Sequence, residues 1–98
     1  MSENFETLAI RTQTERTQFD EHSTPLYLTS SFVFEDAEDM RASFAEEKDK
    51  NLYSRFSNPN VTEFIDKIAK MEGAESGYAF ATGMAAIYST FAALLSAG

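Results

Sequence analysis

Residues 58–87 read NPNVTEFIDKIAKMEGAESGYAFATGMAAI, and this run decides the fold. Pro59 suits the first helical position and Asn58 the cap before it. Val61, Phe64, Ile65, Ile68 and Ala69 recur at helical spacing and form one apolar stripe, while Asp66, Lys67 and Lys70 fall elsewhere on the surface. Gly73 is a natural C-terminal stop. Residues 76–81 (Ser-Gly-Tyr-Ala-Phe-Ala) fit a short buried strand. Thr82 and Gly83 turn the chain, and residues 84–95 form the next helix. Helix, strand, turn, helix predicts the α/β class.

The last helix is apolar nearly all round, with Ala85, Ala86, Ile87, Phe91, Ala92, Ala93, Leu94 and Leu95. Such a helix belongs inside a larger body or against another subunit. A bilayer span needs about 20 apolar residues, so this shorter run reads as a buried helix. A sheet also needs more than one strand. The expectation is therefore that these residues open a longer protein.

N-terminal to the deciding run, residues 36–47 have the marks of a helix: Asp36 as cap, then Ala37, Met40 and Phe44 on one face. The charged run at 46–51 reads as a solvated loop. Residues 25–34 are rich in β-branched and aromatic side chains and are expected to be extended. Residues 1–24 are polar and mixed in charge. Phe5, Leu8 and Ile10 make a short amphipathic turn there, and the rest reads as an arm laid on something else, such as another subunit.

Composition narrows the function. The chain has 98 residues, a net charge of −8 and 43% hydrophobic residues. An acidic chain without a basic stripe is a poor nucleic-acid ligand. With no Cys there is no disulfide framework or thiolate nucleophile, and with one His no His-based metal site is expected. No basic residue precedes Arg11, while Glu3 and Glu6 do, so no signal peptide is expected. The expected location is the cytoplasm.

Two clusters carry possible chemistry. Tyr53 and Arg55 stand two apart just ahead of a helix, and in extended chain such residues point the same way. The phenol and the guanidinium fork could then converge on one anion; the other reading is that Arg55 pairs with one of the carboxylates. At Thr82-Gly83-Met84 a strand ends and a helix begins. Helix N-termini offer free N–H groups and partial positive charge to a phosphate. An ordinary Thr cap explains the same residues without a ligand. Asn60-Val61-Thr62 matches a glycosylation sequon but falls in a helix. None of Lys48, Lys50, Lys67 or Lys70 sits in an apolar setting suited to Schiff-base chemistry.

In order and spacing, Tyr53-Ser54-Arg55, Asn58-Pro59, Met71-Glu72-Gly73-Ala74-Glu75 and Thr82-Gly83-Met84-Ala85-Ala86-Ile87 resemble the Cys/Met-metabolism pyridoxal-phosphate enzymes, the cystathionine γ-synthase family. The likeness begins at Glu6-Thr7-Leu8-Ala9-Ile10-Arg11. It implies an α/β fold-type I transferase of the aspartate aminotransferase-like kind. Residues 1–57 would be the N-terminal arm and subunit-contact segment, and residues 58–98 the start of the large domain that binds pyridoxal 5'-phosphate (PLP). Members are homotetramers, dimers of dimers with the active site shared across the dimer.

By the same resemblance, Tyr53 and Arg55 reach the cofactor phosphate of the neighbouring subunit. The backbone N–H groups of Gly83 and Met84 bind the phosphate in their own subunit. Thr82 stands where Ser is commoner and keeps a hydroxyl. The catalytic Schiff-base Lys, the Asp on the pyridine nitrogen and the stacking aromatic ring are expected beyond Gly98, so residues 1–98 alone are expected to be inactive.

Four stretches, at 6–12, 21–23, 29–34 and 51–56, look most like the sulfhydrylase branch. These are γ-replacement enzymes of methionine biosynthesis that convert O-succinylhomoserine, or O-acetylhomoserine, and sulfide to homocysteine. Cystathionine γ-synthase or γ-lyase activity is the alternative within the family. A non-catalytic short chain that only binds or oligomerises is the alternative outside the enzymes.

Overall fold

A computed structural model describes residues 4–13 and 16–97. Glu3, two residues of the expected arm (Thr14 and Glu15) and Gly98 lie outside the described residues. Four helices follow in order: α1 (Phe5–Arg11), α2 (Ala37–Phe44), α3 (Pro59–Glu72) and α4 (Gly83–Leu94).

The helix ends are set by local chemistry. Asp36 accepts the Asp39 N–H at 2.7 Å and starts α2. Asn58 accepts the Asn60 N–H at 2.9 Å, with Pro59 in the first turn of α3. Thr82 accepts the Ala85 N–H at 3.0 Å at the head of α4. Gly73 ends α3 at φ 67°, where the Gly73 and Ala74 N–H groups donate back to Lys70 and Ala69. Helix α2 closes the same way at Glu46, φ 61°, whose N–H and that of Glu47 donate to Ser43 and Ala42. It therefore stops at Phe44, earlier than the expected 47.

Helix α1 packs on α3, half-burying Leu8 and Ala9. Residues 25–34, expected to be extended, form no helix, and their one backbone pairing is the antiparallel bridge of Ser31 to Tyr53. Residues 76–80 form neither helix nor strand and pass α3: a Cβ at Gly77 would sit 3.6 Å from Ile65 Cγ2. The expected buried strand there is corrected, because Tyr78 is 87% exposed and the segment is unpaired. A strand exists only by exchanging hydrogen bonds with a neighbour, and none of the described residues supplies one.

No hydrophobic residue is buried among the described residues. Helix α4 forms as expected, yet this chain does not bury it: Met84, Ile87, Tyr88, Phe91, Leu94 and Leu95 all face outward. No helix of the described residues is long and apolar enough to cross a membrane.

Candidate functional site

Tyr53 enters the first cluster from its bridge with Ser31, and the chain then turns sharply. The N–H groups of Phe56 and Ser57 both donate to the Tyr53 carbonyl, at 2.9 and 3.0 Å. The expected extended Tyr-Ser-Arg geometry is thus corrected to a turn, because the Tyr53 carbonyl finds donors three and four residues on. The two side chains nonetheless remain together. The Arg55 guanidinium lies 5.4 Å from the Tyr53 ring centre and 5.5 Å from that of Phe56, within cation–π range of both. No carboxylate pairs with Arg55 among the described residues. Arg55 is exposed and Tyr53 is 41% exposed, so the guanidinium fork is open to an anion from outside this chain.

Two polar side chains, Ser54 and Asn58, hold the turn, and a third, Asn60, holds residues 25–27. Ser54 donates its N–H to the Ser30 carbonyl at 2.8 Å and its hydroxyl to the Thr29 carbonyl. Asn58 donates from Nδ2 to the Tyr27 carbonyl and to Ser54 Oγ, both at 3.1 Å. Asn60 accepts the Tyr27 N–H at 2.7 Å and donates to the Pro25 carbonyl at 2.8 Å. Two side-chain amides thus serve the Tyr27 backbone as a neighbouring strand would. From sequence, Asn58 is legible only as a helix cap and Asn60 only as part of a sequon.

The second cluster heads α4. The Thr82 hydroxyl is occupied as a cap acceptor, which bears out the capping reading, and it retains its O–H as a donor. The Gly83 and Met84 N–H groups have no acceptor among the described residues, as the first turn of any helix dictates. A Cβ on Gly83 would meet nothing within 4 Å. This helix end can therefore take the phosphate of a cofactor such as PLP, with two N–H donors and an open backbone approach. An open cleft of about 740 Å³, lined by Arg16, Asp49, Lys50, Asp66 and Lys70 among others, contains none of Tyr53, Arg55, Thr82, Gly83 or Met84.

One cluster escapes the sequence reading. Asp39 is buried and takes Lys48 Nζ at 2.5 Å, Lys50 Nζ at 2.9 Å and the Glu35 N–H at 2.9 Å. The hydrogen bonds from Lys48, then Lys50, then the Glu35 N–H hold its carboxyl well below the usual carboxylate range. The hydrogen bond to Asp39 in turn raises the Lys48 ammonium. The charged run at 46–51 is accordingly fastened to α2 at two lysines rather than simply solvated. Lys50 also lies 4.4 Å from the Phe34 ring centre. Among the described residues no three His, Cys, Asp or Glu side chains gather in a way that would hold a metal ion.

The family model of the Cys/Met metabolism PLP-dependent enzymes matches residues 6–98. An O-succinylhomoserine sulfhydrylase of Pseudomonas aeruginosa is 47% identical over 96% of this chain and 23% of its own length. An L-methionine gamma-lyase of Porphyromonas gingivalis is 38% identical over the whole chain and 25% of its own length. The crystal structure of a putative O-acetylhomoserine (thiol)-lyase of Campylobacter jejuni, which carries N'-pyridoxyl-lysine-5'-monophosphate, superimposes with a TM-score of 0.82 at 32% identity. That match covers 89% of this chain and 21% of the other. The chain thus spans about a quarter of the length of the relatives it matches. With the family model matching almost end to end, the chain belongs to the Cys/Met metabolism PLP-dependent enzyme family.

Proposed function

We propose that this chain is the N-terminal part of a PLP-dependent γ-replacement enzyme that converts O-succinylhomoserine and sulfide to homocysteine. The observation that carries the reading is 47% identity to an O-succinylhomoserine sulfhydrylase across nearly every residue of the chain. In this reading Gly83 and Met84 give their backbone N–H groups to the cofactor phosphate of their own subunit, and Thr82 adds its hydroxyl proton. Tyr53 and Arg55 reach the phosphate of the neighbouring subunit, which the open guanidinium and the exposed turn favour. The oligomer is a dimer of dimers in the cytoplasm. PLP bound there supplies an electron sink that lets the γ-substituent depart. The role of residues 1–98 is to anchor the phosphate and contact other subunits.

The full-length enzyme tests this directly. Homocysteine formed from O-succinylhomoserine and sulfide, faster than from O-acetylhomoserine, is the expected result. Preference for cysteine as the sulfur donor would make it a cystathionine γ-synthase. Likeness to methionine gamma-lyases favours a second reading, and release of thiol from methionine without any replacement reaction would establish it instead.

A further inference from the structure

We infer that Asn58 is a positioning residue for the anion-binding turn, setting where Tyr53 and Arg55 present themselves to a phosphate. The inference rests on the proposed role of those two residues as phosphate ligands.

Asn58 is 6% exposed, one of four buried residues in the described chain, all of them polar. Its side-chain amide joins three parts of the chain at once. Oδ1 takes the Asn60 N–H and starts α3. Nδ2 gives one hydrogen to the Tyr27 carbonyl and the other to Ser54 Oγ. Every hydrogen of this amide is used. Ser54 stands between Tyr53 and Arg55 and donates its own hydroxyl to the Thr29 carbonyl. The turn is therefore not fixed by a sheet, since its pairing is a single bridge, nor by an apolar core, since there is none among the described residues. Its polar anchorage runs through Ser54 to Asn58 and the Thr29 carbonyl.

The capping and positioning roles use different atoms and can be separated. Ser is as good an N-cap as Asn, so Asn58→Ser keeps the cap and removes both Nδ2 donors. Ser54→Ala removes the bridging hydroxyl from the other side and leaves the cap untouched. The experiment uses the full-length enzyme stripped of PLP. It measures affinity for PLP and for unphosphorylated pyridoxal, with Arg55→Ala alongside and thermal stability recorded for each variant. Only the phosphate distinguishes the two probes, so their affinity ratio reports on the anchor.

Both Asn58→Ser and Ser54→Ala are expected to lower the PLP-to-pyridoxal ratio about tenfold, as the weakening of a charge-assisted hydrogen bond would. A fall in both affinities together, leaving the ratio unchanged, would show a merely structural role and overturn the inference. An unchanged ratio in these two variants with a reduced ratio in Arg55→Ala would overturn the role of Asn58 and leave that of Arg55. An unchanged ratio in all three would overturn both.

Discussion

Arg55 has two aromatic neighbours and, among the described residues, no acid, an arrangement that keeps its charge available. A guanidinium between two rings is oriented by them but not neutralised. Its planar fork matches phosphate oxygens in a way an ammonium cannot. Arg55→Ala in the full-length enzyme should therefore weaken PLP retention about 10- to 100-fold, the worth of one charged hydrogen bond or slightly more. Arg55→Lys should fall between, keeping charge but not the fork. Absorbance of the cofactor during dialysis measures both, and retention equal to wild type in Arg55→Ala would remove Arg55 from the site. At the other cluster Thr82 already serves as a cap. Thr82→Ala should cost about 1 kcal/mol of stability through the unpaired Ala85 N–H, whereas Thr82→Ser should be close to neutral, as thermal melts of the two variants would show.

The helices show how differently two identical closures can be written. Gly73 and Glu46 both sit in the left-handed region at the end of a helix, but only glycine does so without steric penalty. Glu46→Gly should therefore stabilise by up to about 1 kcal/mol, and Gly73→Ala should destabilise by about as much, since no atom lies near its missing Cβ and the cost is backbone alone. Denaturant melts of the full-length variants measure both. The caps at Asp36, Asn58 and Thr82 and the stop at Gly73 were legible in the sequence because each acts within four residues. The end of α2 was not, because Glu46 carries no mark of a left-handed residue. Nor was the Asp39 cluster, which depends on Lys48 and Lys50 folding back from a loop. That cluster has a defined pH response. The carboxyl is held below its ordinary value of 3.8, so its contribution is complete above that pH and lost only as pH falls through the lower folded value. The 46–50 segment should stay fastened across the neutral range and loosen only in strong acid. Asp39→Asn should loosen it at neutral pH, seen as faster tryptic cleavage after Lys48 or Lys50 in the full-length protein. An unchanged cleavage rate would mean the two lysines hold nothing in place.

The whole chain exposes 8255 Å², where a compact monomer of 11.0 kDa would expose about 5,600 Å². Its radius of gyration is 16.4 Å against about 13 Å for a globule of this length. The excess, about 2,600 Å², is of the order that obligate subunit contacts bury, and α4 leaves Met84, Ile87, Phe91 and Leu94 exposed. Hydrophobic burial is the main force opposing chain entropy. The described residues therefore lack the core that makes unfolding cooperative. Produced alone, residues 1–98 should show no sharp thermal transition by calorimetry, should bind an apolar fluorescent dye, and should release no homocysteine from O-succinylhomoserine and sulfide. The outward face of α4 and the open guanidinium of Arg55 are both left uncovered by the described residues. A single cooperative transition with no dye binding would mean that the chain finds a core of its own, and α4 would then have to turn inward.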